Sequence, residues 1–229
     1  MTTGIFTMYN TIYPFLLSLK ISFITTLILS IVSPFLSWAI FHSDNRIKIP
    51  LRIFVNLPLV LPPSVMGFYF LLVFSPSSFV GHLISLLFHE SFIFTTEGLI
   101  LGSVLFSLPF MVNPLVSGLE SLPRSLFEAS YVLGKSGTVT FMKVILPNCK
   151  QSLLAGIVMT FVHTMGEFGL VLMIGGKIPG KTLTASIAVF DYMESLQYEM
   201  AHLYAALLVL VSFSILGVLF TINSRFRII

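Results

Sequence analysis

The chain has 229 residues, 56% of them hydrophobic and only 9% charged, with a mean hydropathy of +1.00 and a formal net charge of +3. A water-soluble domain carries roughly 25% charged residues to cover its surface, so lipid must be the main solvent of this chain. The single cysteine, Cys149, excludes an internal disulfide and a cysteine-based metal site, and the small positive charge does not point to nucleic acid.

A membrane-crossing helix needs about 20 apolar residues, and on that scale the chain offers five. The first covers about 13–41, with Lys20 near its start able to snorkel to the interface. It is too long for a signal-peptide core and lacks a small-residue cleavage site before the charged loop, so no cleavable signal is expected. The second covers about 53–74 and carries Pro58, Pro62 and Pro63. The stretch 75–97 is apolar but broken by Pro76 and Gly81, and reads as an interfacial or re-entrant helix rather than a sixth crossing. The third covers about 98–117, the fourth 151–174 and the fifth 202–222. The expectation is an all-α membrane protein whose 229 residues form a single transmembrane domain in a cell membrane.

Orientation follows from Lys and Arg in the short loops. Arg46, Lys48, Arg52, Arg124, Lys135, Lys143, Lys150, Arg225 and Arg227 fall on one side, nine of the twelve basic residues. Lys177 and Lys181 fall on the other. Five spans with the N-terminus outside and the C-terminus in the cytoplasm satisfy this bias.

One loop differs from the rest. Over about 119–150, Glu120, Arg124, Glu128 and Lys135 alternate with Leu122, Leu126, Phe127, Val132 and Leu133, the pattern of a short amphipathic helix. Gly134 is placed to cap it, a second helical stretch runs over 138–145, and Pro147 suits the first turn of the fourth span. By pattern alone this is either a helix lying on lipid headgroups or a docking element for a soluble partner.

Glu128-Ala129-Ser130, then Gly134, then Val144-Ile145-Leu146-Pro147 resembles the EAA loop of ATP-binding-cassette (ABC) importer permeases. Glu128, Ala129, Gly134, Leu146 and Pro147 keep the family spacing, while Ser130 replaces the second Ala and Val144 replaces Ile. The resemblance implies a type I (MetI-like) permease core in which Glu128 and Ala129 touch an ATPase subunit and Gly134 permits the turn. The chain itself has no phosphate-binding Gly-x-x-x-x-Gly-Lys-Ser/Thr loop. Gly175-Gly176-Lys177 and Gly180-Lys181-Thr182 lack the upstream glycine. ATP and magnesium would therefore belong to the partner, no cofactor is expected here, and the chain is not itself an enzyme.

Prolines at 58, 62 and 63 leave backbone groups that must find neighbours or a water-lined route. A kinked packing helix and a path-lining segment, with Ser64 as a neutral donor, both remain open. His163-Thr164-Met165-Gly166-Glu167-Phe168-Gly169 lies deep in the fourth span. An intramembrane carboxylate is costly and faces the interior. His163, four residues before Glu167, is the expected partner one turn away. Glu167 fits a structural and gating role or a path-lining one, but repels a dianion. Two ligands are too few for a metal, so no metal site is expected. Gly166 and Gly169 serve equally as packing points. Ser107, Thr160 and Thr164 are further neutral donors, and His42, His82, His89 and His202 read as interfacial.

The proline segment, the histidine–glutamate segment and Pro179-Gly180-Lys181-Thr182 with Thr184-Ala185-Ser186-Ile187 resemble molybdate permeases, and less closely sulfate and thiosulfate permeases. The resemblance implies two copies of the chain, two ATPase subunits, an external molybdate-binding protein and an oxyanion cargo, molybdate or tungstate. A secondary transporter would often show an inverted repeat, and a membrane enzyme a catalytic motif such as His-Glu-x-x-His. Neither appears.

Overall fold

Backbone groups in hydrocarbon must be satisfied within their own segment, so the apolar stretches fold as helices. A computed structural model describes residues 2–88 and 91–226, with side chains over 12–86 and 91–221, and the regular elements within them are all helical. His89 and the side chains of Arg225 and Arg227, used above, lie outside the described residues.

The elements are α1 (Thr2–His42), α2 (Asn45–Val60), α3 (Pro63–Phe74), α4 (Phe79–Phe88), α5 (Thr96–Ser121) and α6 (Arg124–Val132), then α7 (Gly137–Thr140) and a π-helical turn at Phe141–Ile145. They continue as α8 (Leu146–Asn148), α9 (Lys150–Gly166), α10 (Gly169–Gly175), α11 (Ala185–Glu194) and α12 (Tyr198–Phe226). The Ile12–His42 part of α1, α5 and the Tyr198–Thr221 part of α12 are each long and apolar enough to cross a bilayer. Two bent pairs, α2 with α3 and α9 with the preceding 137–148 stretch, pass the same test only when each pair is taken as one span, which makes the number of crossings three to five. The ten-residue α4 is too short to span, as expected of 75–97.

Two expected spans are broken rather than continuous. The second turns by 115° between α2 and α3. Leu61 precedes Pro62, which disfavours helical backbone, and it is extended with ψ 137°. Pro63 then opens α3, where its missing N–H costs nothing. The fourth is interrupted at Glu167 and Phe168, whose φ/ψ of −64°/128° and −123°/−65° leave the helix.

α5 lies at the centre, packed against α1 and α9, with α2, α3 and α10 leaning on it. α11 and α12 pack on each other, and α12 also rests on α9. Lipid gives no hydrophobic drive for helices to associate, so small residues that let backbones approach matter instead. A Cβ on Gly118 of α5 would lie 2.3 Å from Ser152 Oγ of α9, and one on Gly156 of α9 would lie 2.8 Å from Met111 Sδ of α5. Val209, Leu210, Phe213 and Phe220 of α12 are exposed, as expected of a face turned to acyl chains.

Candidate coupling surface and translocation path

The loop that differed in sequence forms a compact projection at one end of the helices. Pro123 precedes α6, and a Schellman motif closes it. The N–H of Gly134 donates to the Tyr131 carbonyl at 2.9 Å, and that of Lys135 to the Ser130 carbonyl at 3.2 Å. Gly134 has φ +71°, and a Cβ there would meet nothing within 4 Å. Backbone conformation, rather than lack of space, selects glycine.

α6 turns two different faces to its surroundings. Glu128 and Ala129 are exposed. Beside them Val132 is 87% and Leu133 74% exposed, an apolar pair that water does not favour and that suits a protein partner. On the inner face Ser130 is buried, with Oγ 2.8 Å from Thr140 Oγ1. Phe127 stacks on Phe41 at 5.6 Å and on Trp38 at 6.4 Å, and Trp38 also meets Phe141 at 4.7 Å. Leu119, Ile145, Cys149 and the half-buried Leu146 complete that cluster. A rigid aromatic contact thus joins α6 to the ends of α1 and α5. Pro147 sits in the first turn of the short α8, and the helical run resumes at Lys150 after a 72° bend.

The two helix breaks meet in space. A Cβ on Gly169 would lie 2.9 Å from Pro63 Cβ and 3.6 Å from the Ser64 nitrogen. Pro62, Pro63, Ser64 and Gly166 are exposed, whereas Pro58 is buried in α2. The expected His163–Glu167 pair does not form, because α9 ends at Gly166 and Glu167 leaves its register. His163 instead stacks on Phe110 at 3.9 Å, with Nδ1 3.0 Å from Ser107 Oγ, and Ser107 also bonds Thr164 Oγ1 at 2.8 Å. Glu167 is 6% exposed, and neither carboxylate oxygen has a hydrogen-bond partner among the described residues. The Ser103 hydroxyl lies alongside it as a side-chain donor within its reach, and Ser186 donates to the Glu167 carbonyl at 2.6 Å. The Thr160 hydroxyl is buried without a partner.

A polar seam escaped the sequence reading. Lys48, Arg52 and Asn56 recur every fourth residue along α2, and face Asn113, Ser117 and Glu120 on α5. Arg52 and Lys48 both pair with Glu120, the latter at 3.3 Å, and Asn113 Nδ2 donates to Asn56 Oδ1 at 2.7 Å. Between the helices lies a pocket of about 340 Å³ bounded by Arg52, Asn56, Asn113, Ser117 and Glu120. Glu120 also borders a second pocket shared with Phe127 and Glu128. The signal was the three-and-four spacing of polar residues in two otherwise apolar segments. At the opposite end, Lys177 bonds Asp191 and Glu194, each at 2.8 Å, and the Asp191 carboxylate foremost pushes its pKa up.

Residues 27–228 match the model of the family described as binding-protein-dependent transport system inner membrane component. The molybdenum transport system permease protein of Azotobacter vinelandii is 37% identical over 211 residues, which cover 92% of this chain and 93% of that one. A putative molybdenum transport system permease of Bacillus subtilis is 32% identical over 70% of each chain. A probable sulfate transport system permease of Chlorella vulgaris is 32% identical over 86% of this chain and 74% of its own. The fold matches an inward-facing methionine ABC transporter with a TM-score of 0.74 over 96% of this chain and 97% of that one, at 14% identity. It matches a bacterial alginate importer with a TM-score of 0.75 over 95% and 79%, also at 14% identity.

Proposed function

The chain belongs to the binding-protein-dependent transport system inner membrane components, permeases of ABC importers, and from that premise we propose that its cargo is molybdate, with tungstate as its congener. The observation that carries the proposal is the 37% identity to a molybdenum permease along nearly the full length of both chains. A sulfate or thiosulfate cargo is the second reading, since a sulfate permease is 32% identical over much of the chain.

In this reading two copies enclose the path, and an ATPase subunit docks on each α6. Glu128, Ala129, Val132 and Leu133 form the contact, while the Schellman cap and the Trp38–Phe41–Phe127 stack keep α6 from yielding separately. ATP-driven closure of the ATPases then displaces α6 together with the ends of α1 and α5. The α6 end faces the cytoplasm, in line with the loop charges, so the chain starts outside and ends inside. The facing breaks at Pro62–Ser64 and Glu167–Gly169 form the gate. Irregular backbone at membrane depth is tolerated where it lines a cavity or is buried in protein.

The test is oxyanion-dependent ATP hydrolysis in proteoliposomes holding the permease, its ATPase and the binding protein. Stimulation by molybdate or tungstate but not by sulfate is the expected result. Stimulation by sulfate alone overturns the cargo, and failure of the chain to bind any ATPase overturns the assembly.

A further inference from the structure

The geometry points to an inner anion station, built from Arg52, Asn56, Asn113 and Ser117, in which Glu120 is the internal counter-ion that a transported oxyanion displaces. The inference rests on the importer reading and extends it to a site that the sequence resemblance does not mark.

Placement comes first. Asn113, Ser117 and Glu120 are exposed on α5, and Arg52 and Asn56 are half-buried on α2. Glu120 sits in the last turn of α5, paired with Arg52, and Asn56 and Asn113 reach one turn or more further in. The Asn56–Asn113 end of this seam is not stable against acyl chains, so it faces a water-filled route or the interior of an assembly, and the Arg52–Glu120 end opens toward the aqueous side. The pocket of about 340 Å³ between them has room for a tetrahedral oxyanion and its water. A guanidinium, two carboxamides and a hydroxyl are the neutral and cationic donors that recognise such an anion.

Charge comes second. Lys48 and Arg52 both bind the single Glu120 carboxylate, leaving one positive charge in surplus. The empty station thereby keeps a net positive charge that is partly neutralised without a bound ion. An arriving dianion competes with Glu120 for Arg52, which gives a weak site suited to transit rather than storage. Glu120 also borders the pocket that holds Phe127 and Glu128. Movement of α6 therefore changes the surroundings of the residue that sets the affinity of the station, and this offers a route from ATPase to cargo.

The test is equilibrium binding of radiolabelled molybdate to the purified permease–ATPase complex without the binding protein, after subtraction of binding to the ATPase alone. Tungstate and sulfate serve as competitors. Arg52→Gln should weaken binding by about tenfold or more, the loss of one charge-assisted hydrogen bond, and Glu120→Gln should tighten it severalfold. Asn113→Ala changes no charge and must also weaken it severalfold, which separates a built site from a general electrostatic effect. Absence of wild-type binding overturns the station, as does an unchanged Asn113→Ala. Receptor-driven uptake by the wild type is measured in parallel. Uptake without binding removes the station and leaves the importer, whereas binding without molybdate uptake leaves the station and removes the molybdate reading.

Discussion

Ser130 Oγ lies 2.8 Å from Thr140 Oγ1, and this contact ties α6 to the helical turn that leads back into the bundle. Both residues are buried. The serine stands where the Glu-Ala-Ala pattern that this loop resembles has its second alanine, and its hydroxyl has a partner. Ser130→Ala leaves the Thr140 hydroxyl buried alone, at a cost of about 1–3 kcal/mol, whereas Ser130→Ala with Thr140→Val should be nearly neutral. Thermal unfolding of the purified complex measures both. Equal losses in the single and double variants would show that the hydroxyls do not support each other.

Gly134→Val should disrupt the turn after α6, because φ +71° strains a β-branched residue by about 1–2 kcal/mol although nothing obstructs the added Cβ. Gly134→Asn tolerates that conformation better and should keep most uptake. Uptake and ATPase binding by the two variants decide the matter. Equal behaviour would mean that the cap is not what glycine supplies.

Glu128→Arg should abolish uptake while the protein remains inserted, since Glu128 is exposed and makes no ion pair among the described residues. Its loss therefore removes an external contact and no internal one. The comparison is uptake against membrane-extracted protein. Normal transport at normal levels would remove Glu128 from the ATPase contact.

The apolar helices and the projecting α6 were legible because each depends on local signals: apolar length, amphipathic spacing, and Gly134 placed to end α6. The helix breaks were half legible. Pro62 and Pro63 announced the first, but that Gly169 comes to rest on Pro63 is a property of packing. The His163–Glu167 pairing failed for a physical reason, since four-residue spacing brings side chains together only while the helix continues, and this one ends at Gly166. The Glu120 seam was missed because Lys48 and Arg52 were read only as loop charge. Their partner lies 68 residues or more along the chain.

Glu167→Gln should raise the thermal stability of the complex by on the order of 1 kcal/mol, because a buried carboxylate with only the Ser103 hydroxyl beside it is costly and an amide of equal shape is less so. If the carboxylate serves the gate, uptake falls in the same variant, the trade expected where function sets the residue. Differential scanning and uptake are measured on one preparation. A loss of stability would show that the carboxylate is held by a donor, Ser103 or one from the partner copy, better than the amide is.

Gly118 and Ser152 mark the closest approach of α5 to α9 described above, and they allow a compensation test. A Cβ on Gly118 would lie 2.3 Å from Ser152 Oγ and 2.7 Å from Ser152 Cβ, so the clash involves the root of the side chain and no rotamer relieves it. Gly118→Ala should therefore destabilise by about 1–3 kcal/mol despite its better helix propensity. Ser152→Ala, which keeps the Cβ, should rescue it only in part, whereas Ser152→Gly should rescue it more fully at its own cost of about 1 kcal/mol. Coupling between contacting sites of this kind is measured by unfolding the single and double variants under one condition. Additive losses in Gly118→Ala with Ser152→Gly would show that the helices slide apart to admit the methyl group. In that case α5 and α9 move past each other easily, and α6 could not drive the gate through a rigid core.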